Sequence, residues 1–124
     1  MPTPDTPKPR PSPGTLGHLE IELHVSGASR TLCLSGELDM ASAPELHAAL
    51  GDILPGASEI VLDIEELTFI DSSGLHCILA CQASCQQAGT ALRMTPGKEQ
   101  PRRLFEISGL LDRLPITEDS TVCG

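Results

Sequence analysis

The sequence predicts an α/β domain in which a small mixed β-sheet of four to five strands packs against helices, in the order ββαβαβα(β). Three observations predict this fold class. Residues 19–25 alternate between apolar and polar side chains, residues 59–64 form a nearly unbroken apolar run, and stretches with helical periodicity follow the later strands. A hairpin followed by right-handed βα crossovers gives such a sheet.

The first half of the chain predicts a hairpin and a helix. The alternation predicts a first strand with one buried face, made of Leu19, Ile21, Leu23 and Val25. The turn sequence SGAS joins it to a second strand at residues 30–36. Ser42 and Glu45 have the spacing of a capping box, with Pro44 in the first turn of the helix. The helix then carries an apolar stripe, Leu46, Leu50, Ile53 and Leu54.

The second half predicts alternating strands and helices. Residues 59–64 suit a central strand that is covered on both sides, and EELTF reads as a loop. A helix is expected from Ser72 to Gly89, with Leu75, Ile78, Leu79 and Cys85 on one face. A strand at residues 90–94, a short helix carrying Leu104 and Phe105 and ending at Gly109, and an edge strand at residues 114–117 complete the pattern.

Composition limits the possible functions. A chain of 124 residues suits one domain, and its formal net charge of −9 argues against binding nucleic acid or anionic lipid. No apolar run approaches the length of a membrane span, and the start of the chain has no apolar core of a secretory signal. We expect a disordered proline-rich tail at residues 1–16, a folded domain at 17–118 and a C-terminal tail at 119–124.

The five cysteines form no evident disulfide framework, which fits a reducing cytosol. Cys77, Cys81 and Cys85 would form one stripe on a helix. Cys77 and Cys85 start about 12 Å apart along such a helix, whereas two sulfurs that share a zinc ion lie within roughly 4.6 Å. We therefore expect no metal here, and we interpret the three thiols as small buried hydrophobes.

The segment FIDSSGLHCIL carries the strongest candidate site, because Asp71 and Ser72 stand where a strand ends and a helix begins. Aspartate and serine are also the preferred helix caps, so capping alone accounts for the pattern. The turn after the second strand contains Glu37, Asp39 and Met40. Asp39 is expected at the same end of the sheet, although turn formation is an equally simple role for it.

Three segments in order, SGELDMASAPEL, IVLDIEELTFIDSSGLHCIL and RRLFEISGLLDRL, closely resemble the STAS domain of bacterial anti-sigma factor antagonists. The resemblance implies a cytoplasmic binding protein that is not an enzyme and has no cofactor. It implies an anti-sigma factor that is also a serine kinase, a serine phosphatase as a second partner, and a monomer that binds a dimeric kinase. The phosphorylated serine would be Ser72, with Ser73 as the neighbouring alternative. The implied partner contacts are Glu37, Asp39, Met40, Asp71, Ser72, Ser73 and Gly74.

A STAS module that is never phosphorylated is the other reading of the same motif, and phosphate on Ser72 in cells would separate the two. His76 and Cys77 replace the small or aliphatic residues usual after the SSGL stretch, which leaves partner choice open. A receiver domain, which is phosphorylated on aspartate, needs an acidic pair after its first strand and a lysine after its fifth strand. This sequence has neither at those places, which argues against a receiver domain. Hydrolase and thiol-enzyme motifs are absent from the sequence.

Overall fold

The computed structural model describes residues 18–117. Four strands and three helices confirm the predicted fold class. The strands are β1 (Leu19–Ser26), β2 (Ser29–Leu38), β3 (Glu59–Ile70) and β4 (Ala91–Met94). The helices are α1 (Ala43–Ile53), α2 (Ser72–Ala88) and α3 (Glu99–Ser108), and a 3₁₀ turn follows at Leu111–Arg113. The tails predicted at residues 1–16 and 119–124 lie outside the described residues, as do the domain limits at 17 and 118.

The sheet has the strand order β1-β2-β3-β4. β1 and β2 form an antiparallel hairpin, whereas β2, β3 and β4 run parallel to one another. The predicted central strand is therefore confirmed, because β3 lies between β2 and β4. The carboxyl ends of β2 and β3 come out at one edge of the sheet, where Leu38 is paired with Ile70. Both chain segments that leave this edge enter helices.

The core is aliphatic, as the scarcity of aromatic residues predicts. Side chains of the inner strands pack against α1 and α2, and Phe105 of α3 is fully buried. The predicted helix faces are confirmed for Leu46, Leu50 and Ile53 of α1, which are buried. Burial of apolar surface of this kind is the main favourable term in folding. Within residues 18–117, no helix is long and apolar enough to cross a membrane.

The prediction that β1 buries one complete face is wrong at its second half. Leu19 is buried and Ile21 is half-buried, but Leu23 is 45% exposed and Val25 is 60% exposed. β1 is the edge strand, and the helices pack mainly over the other strands. The second half of the apolar face of β1 is therefore not covered by a helix. Alternation in the sequence shows which side chains share a face, but it does not show whether a helix covers them.

Two further expectations differ from the structure. EELTF is not a loop, because β3 continues through it to Ile70 and pairs with the second half of β2 across two register shifts. At each register shift β3 contains an extra residue, so the alternation of apolar and polar side chains breaks there. Without this alternation the sequence does not indicate a strand. Residues 114–117 form no strand, because only one isolated bridge joins Met94 to Ile116.

The helix ends follow from local chemistry. α2 and α3 end at Gly89 and Gly109, as predicted. Both glycines adopt the left-handed conformation, which costs glycine no steric strain. α1 ends differently, because the Arg30 guanidinium donates hydrogen bonds of 2.5 and 2.7 Å to the carbonyls of Ile53 and Pro55. A cation at the carboxyl end of a helix also complements its dipole.

The expected capping box at the start of α1 is wrong. Ser42 is the N-cap residue, but its side chain makes no capping hydrogen bond, and Glu45 is exposed. The Ser42 hydroxyl instead donates to the Glu37 carbonyl at 2.8 Å and accepts from the Asp39 N–H at 2.9 Å. The serine holds the preceding turn together, and this use of its hydroxyl competes with capping.

The cysteines follow the prediction in part. Cys77, Cys81 and Cys85 are free and buried, as expected for small hydrophobes on α2. Cys33 of β2 is disulfide-bonded, which differs from the expected chain without disulfides.

Candidate partner-binding site at the ends of the parallel strands

The candidate site begins where β2 and β3 end side by side. Leu38 is paired with Ile70, and each is followed by an aspartate, Asp39 and Asp71. The Asp71 N–H donates to the Leu38 carbonyl at 3.2 Å, which fixes the two chain segments against each other. The expectation that Asp39 and Asp71 lie at the same edge of the sheet is confirmed.

Asp71 is the N-cap of α2. Its backbone is extended, and its carboxylate accepts a hydrogen bond of 2.9 Å from the Gly74 N–H. The Leu75 N–H donates to the Asp71 carbonyl at 3.0 Å and closes the first helical turn. The capping role that the sequence suggests is therefore present, and it sets the direction in which the next residue projects.

Ser72 is the first residue of α2, and it is exposed to solvent, whereas Ser73 is half-buried. Among the residues that the structure describes, the Ser72 hydroxyl has no hydrogen-bond partner. The first N–H groups of a helix also lack partners within the helix, and they carry the positive end of its dipole. Ser72 thus combines a free hydroxyl with a local field that favours negative charge.

Gly74 is buried because α2 lies directly on the end of β2. A Cβ atom at this position would come within 2.4 Å of the Leu38 carbonyl oxygen and within 2.8 Å of an Ile70 side-chain carbon. Real Cβ atoms essentially never approach a backbone oxygen this closely. Gly74 therefore permits the close approach of the helix to the sheet, and its contribution to the site is to fix the position of the serines.

The neighbouring turn between β2 and α1 is built around Asp39. This carboxylate is 5% exposed, and it accepts hydrogen bonds of 3.0 and 3.1 Å from the N–H groups of Ala41 and Ser42. Asp39 consequently shapes the turn from inside, which is the turn-forming role that the sequence left open for it beside partner contact. Glu37, another suggested contact, is half-buried, and its N–H donates to the His18 carbonyl at 2.8 Å.

Two apolar side chains project from this end of the molecule. Met40, in the β2–α1 turn, is 70% exposed, and Phe69, near the end of β3, is 39% exposed. Met40 is a predicted contact. Phe69 is not, because the sequence predicts a loop for its segment. Phe69 is paired with Glu37 across the two strands, which places it beside the predicted contacts.

Gln100 of α3 is a second residue at this edge that no sequence pattern indicates. Its side-chain amide donates to the Ile70 carbonyl at 3.0 Å and accepts from the Ile70 N–H at 2.8 Å. β4 ends at Met94, and its ladder with β3 reaches only to Leu62, so the amide supplies at Ile70 the pair of bonds that a neighbouring strand would make. This pairing secures the residue just before Asp71.

The cysteine stripe, Cys77, Cys81 and Cys85, lies on the buried face of α2 and contacts α1. Cys77 donates to the Ala43 carbonyl at 3.2 Å. The hydrogen bond between the Cys77 and Cys81 thiols, together with burial, raises the pKa of Cys81, and burial raises the pKa of Cys85. The same hydrogen bond lowers the pKa of Cys77 despite its burial. Within residues 18–117, no cluster of at least three His, Cys, Asp or Glu side chains could hold a metal ion.

The family follows from comparison of the whole sequence. The family model described as "Mlab, STAS domain" matches residues 21–117, which is most of the chain. The chain belongs to the STAS domain family. The resemblance of the three sequence segments to the STAS domain is confirmed, and the matched region covers both turns of the candidate site.

Relatives and solved structures agree with this assignment. BtrV of Bordetella bronchiseptica carries the name anti-sigma factor antagonist. It is 34% identical to this chain over 68% of this chain and 73% of its own length. The anti-sigma-B factor antagonist of Staphylococcus aureus is 28% identical over 85% of this chain and 98% of its own. SpoIIAA in its unphosphorylated form matches with a TM-score of 0.70 at 21% identity, over 82% of this chain and 90% of SpoIIAA. The phosphorylated form of SpoIIAA, a Bacillus cell fate determinant, matches with a TM-score of 0.65 at 21% identity. The match covers 82% of this chain and 93% of the SpoIIAA chain.

Proposed function

We propose that this protein is an anti-sigma factor antagonist whose binding is switched off by phosphorylation of Ser72. In this proposal the unphosphorylated form binds an anti-sigma factor that is also a serine kinase, and binding releases the sigma factor. A serine phosphatase then restores the active form. The exposed Ser72 hydroxyl at the first position of α2 carries the proposal, and the names of the relatives supply the class of partner.

The choice of Ser72 over Ser73 rests on accessibility. A kinase must bring the hydroxyl in line with the γ-phosphate of ATP, which requires a side chain that reaches out of the surface. Ser72 is exposed and has no hydrogen bond to break among the described residues, whereas Ser73 is half-buried. The Asp71 cap holds Ser72 in place, so that the kinase meets one fixed geometry.

The surface around Ser72 suits a protein partner. Met40 and Phe69 supply exposed apolar area, and exposed side chains of this kind are frequent anchors of protein interfaces. Glu37 adds a half-exposed carboxylate beside Phe69. In our proposal Asp39 and Gly74 act by shaping the surface, and Met40, Phe69, Glu37 and Ser72 touch the partner.

The switch follows from electrostatics. A phosphoryl group adds about −1.5 to −2 charges to a protein whose formal net charge is already −9. A partner surface that fits a neutral hydroxyl would have to bury this anion without a compensating cation, which costs several kcal/mol. Since each 1.4 kcal/mol changes affinity about tenfold, such a cost lowers binding by two or more orders of magnitude.

The test compares four baits in a pull-down from lysate of the native host. They are the wild-type protein, Ser72→Ala, Ser72→Asp and Gln87→Glu, each confirmed as folded by circular dichroism. Gln87 is exposed in the last turn of α2, so its substitution adds one negative charge to the same helix, far along it from Ser72. Captured proteins are identified by mass spectrometry, and the purified partner is then incubated with each bait and ATP.

The proposal expects a serine kinase on the wild-type, Ser72→Ala and Gln87→Glu baits and its loss on Ser72→Asp. It also expects the kinase to phosphorylate the wild-type protein at residue 72 and to leave Ser72→Ala unmodified. Equal capture by all baits, combined with no transfer of phosphate, would instead identify a binding module that is not switched. Phosphate on Ser73 in the Ser72→Ala protein would move the switch to the neighbouring serine.

A further inference from the structure

The exposed apolar face of β1 lies away from the Ser72 site and needs a separate explanation. Leu23 and Val25 are 45% and 60% exposed, and with half-buried Ile21 they form a continuous row on the same face of the strand. Edge strands of soluble proteins usually carry devices against pairing with other chains. β1 has neither proline nor lysine, and its charged residues, Glu20 and Glu22, both lie on the polar face of the strand. Its ladder with β2 runs through eight residue pairs without a register shift.

The backbone of β1 is ready to pair on its outer side. Ser26 and Ser29 flank a two-residue turn, so they form a hydrogen-bonded pair, and pairs of this kind recur at every second residue. The 2.8 Å hydrogen bond from the Glu37 N–H to the His18 carbonyl agrees with this alternation, since His18 lies eight residues before Ser26. The N–H and C=O groups of Ile21, Leu23 and Val25 therefore point outward, and no strand among residues 18–117 pairs with that edge.

We propose that two copies of the chain associate by antiparallel pairing of their β1 strands, with Leu23 opposite Leu23 of the second copy. In this register Ile21 lies opposite Val25, so the outward-pointing backbone groups of each strand meet those of the other. The apolar side chains of both strands then form one row across the junction. The pairing is two-fold symmetric and closed, so it produces a dimer with one continuous sheet.

The polar side chains of β1 favour this register over its neighbours, because the imidazole of His24 can donate to the Glu22 carboxylate, as the 3.5 Å contact between the two within one strand shows. Glu22 and His24 stand on the polar face of β1, and both are exposed. With Leu23 opposite Leu23, each Glu22 faces the His24 of the second copy in a non-hydrogen-bonded pair, where side chains come closest. A shift of the second copy by two residues in one direction would place Glu22 against Glu22, and in the other direction His24 against His24. The proposed register avoids opposing two carboxylates and gives each Glu22 a hydrogen-bond donor.

The dimer leaves the Ser72 site open and does not depend on its proposed function. β1 is one edge of the sheet, and Ser72 follows β3, two strands away. Because the two sheets join antiparallel, the two Ser72 residues lie at opposite ends of the joined sheet. If the proposal holds, the monomer that the family resemblance implies is replaced by a dimer with two independent partner sites.

The first test follows single amides by NMR hydrogen exchange in the full chain at low and high protein concentration. The amides of Ile21, Leu23 and Val25 are expected to become protected as concentration rises. The amides of Glu22 and His24 already bond to β2 and are expected to change little, which gives an alternating pattern along one strand. Sedimentation equilibrium over the same range is expected to pass from 13.1 kDa toward twice that mass. A monomer at every concentration would overturn the proposal.

The second test uses substitutions that separate pairing from folding. Leu23→Lys puts a charge into the apolar row and is expected to weaken the dimer about tenfold or more. Ile107→Lys is the matched control, because Ile107 is a 75% exposed apolar residue on α3, away from β1. The control is expected to leave the association unchanged.

The register is tested by exchanging the charges. Glu22→Lys removes the complementary pair and is expected to weaken association. Glu22→Lys combined with His24→Glu places opposite charges across the junction again and is expected to restore it. Failure of the double variant to recover would overturn the register, and equal association of wild-type protein and Leu23→Lys would overturn the interface. Neither result bears on the kinase experiment.

Discussion

The two turns that leave the parallel strands β2 and β3 both begin with an aspartate, but they are built differently. β2 ends at Leu38 and is followed by Asp39, and β3 ends at Ile70 and is followed by Asp71. In the first turn the aspartate is 5% exposed and the serine, Ser42, is fully buried, and each hydrogen-bonds the other's backbone N–H. In the second turn the aspartate caps the helix and the serine that follows it, Ser72, is exposed.

This difference separates a turn whose serine stabilises the fold from a turn that presents an exposed hydroxyl. A buried serine contributes through its hydrogen bonds, so removing its hydroxyl lowers the free energy of unfolding. An exposed serine without a partner contributes almost nothing to that free energy, so its hydroxyl is available for modification. Both turns begin with an aspartate directly after a strand, and they differ in the position, burial and hydrogen bonds of the serine that follows.

The largest expected effect comes from Gly74→Ala, which would drive the two turns apart. The added Cβ meets the Leu38 carbonyl at 2.4 Å, and backbone on both sides must shift to relieve the contact. We expect the free energy of unfolding to fall by about 3 kcal/mol, measured by urea denaturation. Gly51→Ala is the control, because a Cβ at this α1 position meets nothing within 4 Å, and it should stabilise by about 0.5–1 kcal/mol. Equal effects of the two substitutions would contradict the close packing at Gly74.

The next effect compares the two serines directly. Ser42→Ala removes a hydroxyl that bonds to the Glu37 carbonyl and the Asp39 N–H, which leaves buried groups without partners. We expect a loss of about 2 kcal/mol in the free energy of unfolding. Ser72→Ala should change it by less than about 0.5 kcal/mol. The same urea titrations measure both, and a loss at Ser72 as large as that at Ser42 would mean that the two turns are built alike.

Most of the fold could be predicted because its signals are local. The period of the apolar residues located β1, the centre of β3 and all three helices, and glycines marked the ends of α2 and α3. The second half of β3 could not be found in this way, because its ladder with β2 contains register shifts that break the alternation. The exposure of Leu23 and Val25 was also hidden, since it depends on where the helices pack.

The candidate site rests on residue types in the sequence, and the structure shows which of those residues are exposed and which are buried. Asp71, Ser72 and Gly74 could be found because the junction of a strand and a helix has a recognisable sequence. The inward orientation of Asp39 and the pairing of Gln100 with Ile70 could not, since both depend on contacts between segments distant in sequence or on the path of a turn. Phe69 could not be predicted either, because it lies in the second half of β3, where the register shifts break the alternation.

A smaller effect tests whether capping differs between α1 and α2. Asp71→Ala removes the hydrogen bond to the Gly74 N–H and should lower the free energy of unfolding by about 1 kcal/mol. Glu45→Ala is the matched control in the first turn of α1, where the expected capping box is absent, and it should change the free energy by less than about 0.5 kcal/mol. Chemical denaturation distinguishes these values. A loss at Glu45 equal to that at Asp71 would restore the capping box.

The smallest effect on stability is expected from phosphate on Ser72, although it has the largest proposed effect on binding. At the first position of a 17-residue helix the anion meets free N–H groups and the positive end of the dipole, which offset repulsion from Asp71. We expect a net change below about 1 kcal/mol in the free energy of unfolding. Phosphoserine at position 73, which is half-buried, should cost more because part of the charge loses water. Thermal melting of proteins carrying phosphoserine at each position measures both. A collapse of the melting temperature at position 72 alone would mean that the switch acts by unfolding the domain and not by repelling a partner.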